Sequence, residues 1–113
     1  VPNDLSLMRR ELEIKSIISR EKPDGIFVSD DLTAILVMKI ARQLGLSIPD
    51  DLKIIGYDGT AFIRHFYPEL ATIQQPLDEI AKLCVEILLK KIKGKTVNRD
   101  YVLPVSLIAG GSI

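Results

Sequence analysis

Two short runs constrain this chain most: Phe27-Val28-Ser29-Asp30-Asp31-Leu32-Thr33-Ala34 and Ile54-Ile55-Gly56-Tyr57-Asp58-Gly59-Thr60. Each is an apolar stretch that stops abruptly at a carboxylate. That pattern is the sequence form of a buried parallel strand presenting an acid at its carboxyl end. In open α/β sheets, ligands sit in the crevice outside those ends. Asp30 and Asp58 are therefore candidates to face one site.

The punctuation between these runs gives an order α-β-α-β-(loop)-β-α-β, an α/β fold with a parallel sheet. Residues 1–6 read as a loop, and a helical pattern runs from about Leu7 to Arg20 with Leu7, Ile14, Ile17 and Ile18 on one broad face. Lys22-Pro23-Asp24-Gly25 breaks it, and Gly25 to Ser29 reads as a short buried strand. Asp31 can then cap a helix through about Leu44, whose apolar stripe is Leu32, Ile35, Leu36, Lys39, Ile40 and Leu44. Gly45 and Pro49 stop it, and Leu52 to Tyr57 is the next strand.

Residues 59–70 read as irregular or briefly helical, with Phe62, Ile63, Phe66 and Tyr67 conspicuously apolar for a loop. A strand follows at Ala71 to Gln74. Pro76 opens a helix to about Ile92 that should bury Ile80, Ala81, Cys84, Ile87 and Leu88, and Tyr101 to Ile108 reads as extended around Pro104. The chain enters on a helix with no preceding strand, the pattern expected of part of a larger domain.

Composition narrows the function classes. At 113 residues the chain is at most one domain. Fifteen basic and fifteen acidic residues cancel, so no net field draws it to nucleic acid or an anionic membrane. Cys84 is the only cysteine, which excludes an internal disulfide and a cysteine-based metal site, and its apolar neighbours mark it as a small buried hydrophobe. No apolar run approaches a membrane span, and no signal pattern opens the chain.

The carboxylates admit three readings. Asp31 is accounted for as a helix cap, and Asp30 and Asp58 could be structural turn acids, although a carboxylate ending a buried strand needs partners or water. An acidic pair plus a later aspartate also suggests a phosphoacceptor receiver domain. The spacing argues against it, because Asp30 and Asp58 are separated by one helix, and Tyr101 to Ile108 lacks the expected lysine. His65, the sole histidine, sits in an aromatic loop with no nucleophile to serve, so the chain is expected not to be an enzyme and no cofactor or metal is implied. The third reading is reversible binding of a polyhydroxylated molecule. Carboxylate oxygens accept from adjacent hydroxyls, and Gln75 adds an amide at the same edge.

At this point a resemblance enters. Pro23-Asp24-Gly25-Ile26-Phe27, Ser29 to Ala34, Gly45-Leu46-Ser47-Ile48-Pro49-Asp50-Asp51-Leu52, Ile55-Gly56-Tyr57-Asp58, Pro68 to Pro76 and Leu103-Pro104-Val105-Ser106-Leu107-Ile108 resemble consecutive motifs of LacI/GalR-type repressors. The match runs from Pro23 to the end in the family's order and spacing.

The resemblance implies a periplasmic-binding-protein-like (type I) effector domain of two α/β lobes. This chain would be its C-terminal portion, an incomplete fragment without the DNA-binding helix-turn-helix. Residues 76–103 would belong to the other lobe, so the isolated chain could form a swapped or packed oligomer. Asp30, Asp58 and Gln75 match effector contacts. Ile35, Lys39, Phe62 and Phe66 match a homodimer interface.

Gly59 departs from the second acid often found after Gly-Tyr-Asp. Together with Asp30, it makes Ser29 to Ala34 and Asp58-Gly59-Thr60 resemble the sucrose-operon subgroup. The implied function is a cytoplasmic, sugar-responsive repressor that senses sucrose or a related fructoside. Operator DNA would be bound only through the absent N-terminal domain, and no membrane is involved. A solute-binding protein of sugar transport is the alternative.

Overall fold

Pro23 and Gly25 break the first helix, and Gly45 and Pro49 end the second. Between these breaks the computed structural model, which describes residues 4–113, places α1 (Asp4–Glu21), β1 (Gly25–Phe27), α2 (Asp31–Gln43), β2 (Lys53–Asp58), α3 (Ala61–Phe66), β3 (Ala71–Gln74), α4 (Leu77–Ile92) and β4 (Ser106–Ile108). The helix thus begins within the stretch expected to be a loop, and residues 1–3 of that stretch lie outside the described residues.

The strands form one sheet in the order β1-β2-β3-β4. β1, β2 and β3 are parallel, with Ile26 opposite Ile54 and Tyr57 opposite Ile73. β4 runs antiparallel to β3, so the sheet is mixed rather than wholly parallel. It is also shorter than expected, because pairing holds only Ser106 to Ile108 of the segment from Tyr101. Beyond β4 the chain turns back under the amino ends of the strands. There Ser112 Oγ donates to the Ile54 carbonyl (2.6 Å) and accepts from the Ala71 N–H (2.8 Å).

One face of the sheet carries the core: Ile54, Leu52 and Val28 pack with Ile18 of α1, Ala34, Val37, Met38, Ile40 and Ala41 of α2, and Ile63 of α3. The buried face of α2 differs from the expected stripe. Ala34 and Ala41 let the helix approach the sheet closely, which turns Leu32 outward to 71% exposure and leaves Lys39 exposed. Within the stripe assigned to α1, Ile18 is buried while Leu7 and Ile17 stay exposed.

The opposite sheet face is lined, by register, with Phe27, Ile55, Tyr57, Ile73 and Leu107. Phe27 and Leu107 there are 64% and 54% exposed. Sheets built mainly of parallel strands normally have both faces covered. The strand expected to be buried from Gly25 to Ser29 is therefore a three-residue edge strand with one bare side.

α4 stands apart from this core. None of its residues is buried, and Leu88, Leu89 and Ile92 are largely exposed. Cys84, expected inside, is likewise exposed, because no described residue packs closely enough on α4 to bury any of its side chains. The projecting helix gives principal extents of 58 × 32 × 25 Å and a radius of gyration of 18.2 Å. A globular domain of this length would have about 13 Å. Among the described residues no helix is long and apolar enough to cross a membrane.

Candidate functional site

Past Phe27 the Val28 N–H still donates to the Ile55 carbonyl (2.9 Å), and the chain then turns into α2 through Asp30. Asp30 is extended (φ −153°, ψ 158°), the conformation of an N-cap, and its carboxylate accepts from the Thr33 N–H and the Thr33 hydroxyl, both at 2.8 Å. Ser29 Oγ donates to the same carboxylate at 3.3 Å. The Thr33 N–H, opposed by partial burial and aided by the two hydroxyls, holds this carboxyl below its ordinary value of 3.8. Asp30 is thus the helix cap, whatever else its carboxylate contacts. The role expected of Asp31 falls one residue earlier, because only the extended residue can fold its side chain back onto the first turn.

Asp31 is instead the most deeply buried acid among the described residues, 2% exposed. Its Oδ2 accepts from the Gly59 N–H at 2.8 Å, and its Oδ1 accepts from Thr72 Oγ1 at 2.5 Å. One carboxylate therefore joins the start of α2, the loop after β2 and the middle of β3. Gly56 makes room for it, since a Cβ there would overlap Asp31 Oδ1. The sequence reading missed this hub. Its signal was Thr72, a hydroxyl in the middle of an otherwise buried strand, which must have a partner.

At the end of β2, Asp58 has φ 125°, a conformation that side chains rarely adopt and that costs on the order of 1–3 kcal/mol. Gln75 holds it from β3's side: its N–H donates to the Asp58 carbonyl (3.1 Å), and its Nε2 donates to Asp58 Oδ1 (2.8 Å). Two of the three anticipated ligand residues are thereby in contact. Asp30 lies at the same sheet end, one residue before the Asp31 carboxylate that binds Gly59. Gly59 itself (φ 63°) sits where a Cβ would come within 2.7 Å of the Gln74 Cα. A side chain at this place would collide with β3.

Gln75 reaches into two clefts. One, of about 420 Å³, is lined by Thr60, Arg64, Gln74, Asp78, Glu79 and Ser106. The other, of about 410 Å³, lies under α4 against Tyr57, Ile80, Leu83, Tyr101 and Leu103. Arg64 and Ser106 were not anticipated. Both clefts lie where the chain leaves the sheet at Gln75-Pro76 and returns toward β4.

The four residues matched to a dimer interface lie on two helices that start on either side of the Asp31–Gly59 bond. Phe62 and Phe66, one turn apart on α3, are 61% and 60% exposed, with ring centroids 4.6 Å apart. On α2, Ile35 is half-buried and Lys39 approaches Glu11 of α1 at 3.7 Å. His65 is exposed and lies edge-on to Phe66 at 5.0 Å.

Residues 1–113 match the model of the periplasmic binding protein-like domain. The sucrose operon repressor of Streptococcus mutans serotype c is 58% identical over 110 residues, 97% of this chain and 34% of the relative. The dimeric Lac repressor with an 11-residue C-terminal deletion superposes with a TM-score of 0.81 at 26% identity, over 93% of this chain and 39% of that one. A LacI family regulator from Lactobacillus casei with bound sucrose gives 0.74 at 25% identity, over 92% of this chain and 39% of that one. The chain thus spans about a third of the length of the curated relative it matches. With its whole length matched by the family model and its relatives drawn from LacI-type repressors, the chain belongs to the periplasmic binding protein-like domain family.

Proposed function

We propose that this chain is the C-terminal part of the sugar-sensing unit of a LacI-type repressor, with sucrose or a related fructoside as effector. The observation that carries the reading is the Asp58–Gln75 pair. A carboxylate in a strained conformation, held by an amide at 2.8 Å, stands at the carboxyl ends of parallel strands. Strain of this kind persists where the surroundings over-determine it, often at ligand sites. Asp58 keeps one carboxylate oxygen free of Gln75 to accept from sugar hydroxyls, and Asp30 adds the remaining acceptor position of its capping carboxylate. The sucrose-bound regulator and the sucrose operon repressors among the relatives support the choice of effector.

Residues 76–103 belong to the opposite lobe in this reading. The unburied α4, the bare sheet face and the extended shape support it. Ile35, Lys39, Phe62 and Phe66 form a homodimer face, in keeping with the exposed phenylalanines and the dimeric Lac repressor. Effector bridging the lobes would favour one lobe arrangement, and the dimer would pass that population shift to DNA-binding domains upstream of this segment. Such a regulator works in the cytoplasm and needs no catalytic step.

Isothermal titration of the complete protein with sucrose, against glucose, fructose and ribose, tests the reading. Sucrose-selective heat is expected. Asp58→Ala should weaken binding by roughly 5–150-fold, the equivalent of about 1–3 kcal/mol for a lost buried hydrogen bond. Full affinity in that variant would remove Asp58 from the site, and binding of another sugar alone would change the effector.

A further inference from the structure

The carboxylate that the sugar reading leaves unused is buried and ties together three parts of the fold. Asp31 is 2% exposed and has one oxygen on the Gly59 N–H and the other on Thr72 Oγ1. Gly59 is the residue directly after Asp58, and its carbonyl accepts from Gln74 Nε2 at 3.4 Å. The peptide on the far side of Asp58 is thus clamped from α2 and from β3, while Gln75 clamps Asp58 itself. A residue with φ 125° keeps that conformation only if both of its flanks are held.

We propose that Asp31 is a positioning residue for effector binding: it aims the Asp58 carboxylate by anchoring Gly59, and it ties that loop to the first turn of α2. The proposal rests on the sugar-binding reading of Asp58. Asp31 itself is sealed from the ligand and acts only through the loop. Gly56 serves the same arrangement, since any side chain there would displace the carboxylate. Because α2 also carries Ile35 and Lys39, movement of Asp58 on binding is transmitted to that helix through one carboxylate.

The test compares Asp31→Leu, Asp31→Asn and Thr72→Val in the complete protein. Sucrose affinity is titrated well below each variant's melting temperature, with Asp58→Ala as control. Asn retains an acceptor for the Gly59 N–H, and Leu does not. The expected result is that Asp31→Leu binds about tenfold or more weakly while folded, and that Asp31→Asn recovers to within about threefold of the parent. A purely structural role would lower the melting temperature and leave low-temperature affinity intact. Parental affinity in folded Asp31→Leu therefore overturns the positioning role. If Asp31→Leu does not fold, Thr72→Val decides: a loss of about threefold or more supports the role, and parental affinity overturns it. No heat from the parent with any sugar would overturn the sugar reading itself, and the positioning role with it.

Discussion

Helices α2 and α4 are built alike, 13 and 16 residues long with apolar positions three and four apart. Yet α2 buries Asp31, Ala34, Val37, Met38, Ile40 and Ala41, and α4 buries none of its residues. The difference lies in what each finds opposite. α2 meets β2 within the chain, where Ala34 and Ala41 allow close packing on Ile54. α4 leaves the sheet through Gln75-Pro76 and finds only partial cover, with Ile80, Leu83 and Ile87 half-buried beside the cleft toward Tyr57 and Tyr101. Amphipathic patterning states that a helix has a buried side, not which polypeptide supplies the cover. An exposed apolar stripe of this kind marks a surface meant to be covered.

The sharpest way to break this comparison is a pair of truncations read by urea unfolding. Leu52→Ala removes a fully buried side chain and should cost about 2–5 kcal/mol, whereas Leu88→Ala on α4 should stay within about 0.5 kcal/mol. Equal costs would mean that α4 is covered in solution, by a second copy or by a different packing. In the complete protein the Leu88→Ala cost should rise toward that of Leu52→Ala, which would identify the missing cover as the other lobe.

Gly56→Ala probes the crowded end of the α2 half. Its Cβ overlaps the Asp31 carboxylate, so overpacking of about 1–3 kcal/mol is expected from the same unfolding measurement. The Asp30 cap comes next. Asp30→Ala should destabilise by about 0.5–2 kcal/mol, because the Thr33 N–H loses its acceptor. α4 starts at Pro76 with no side-chain cap and has no such bond to lose.

The smallest effect is that of pH on the same cap. The folded-state pKa of Asp30 is depressed, so its contribution is present above the ordinary value of 3.8 and is lost as pH falls through the lowered folded value. The acid limb of a stability–pH curve should therefore be shallower in Asp30→Ala than in the parent. The change should be modest, because the group is only partly buried and solvent screens it.

Part of the candidate site's geometry was legible from local chemistry. Strand ends at an acid predicted the positions of Asp58 and Asp30, and the spacing before Pro76 predicted Gln75, which the structure places 2.8 Å from Asp58. That Asp30 rather than Asp31 caps α2 was not legible. Two adjacent aspartates before a helix look alike in sequence, and only the extended backbone at Asp30 decides which one folds back. The partners of Asp31 lie 28 and 41 residues away, beyond the reach of any local pattern.

By itself, then, the sequence determined the element types, the breaks at Pro23, Gly45 and Pro49, and the acids at the strand ends, because each depends on backbone preference or short-range periodicity. Tertiary structure alone decided which α2 side chains face the core, that β4 runs antiparallel, that Cys84 is exposed, and that Asp31 gathers Gly59 and Thr72. Each of those depends on the surface that comes to lie opposite a residue, and for α4 the described residues supply too little of it to bury any side chain.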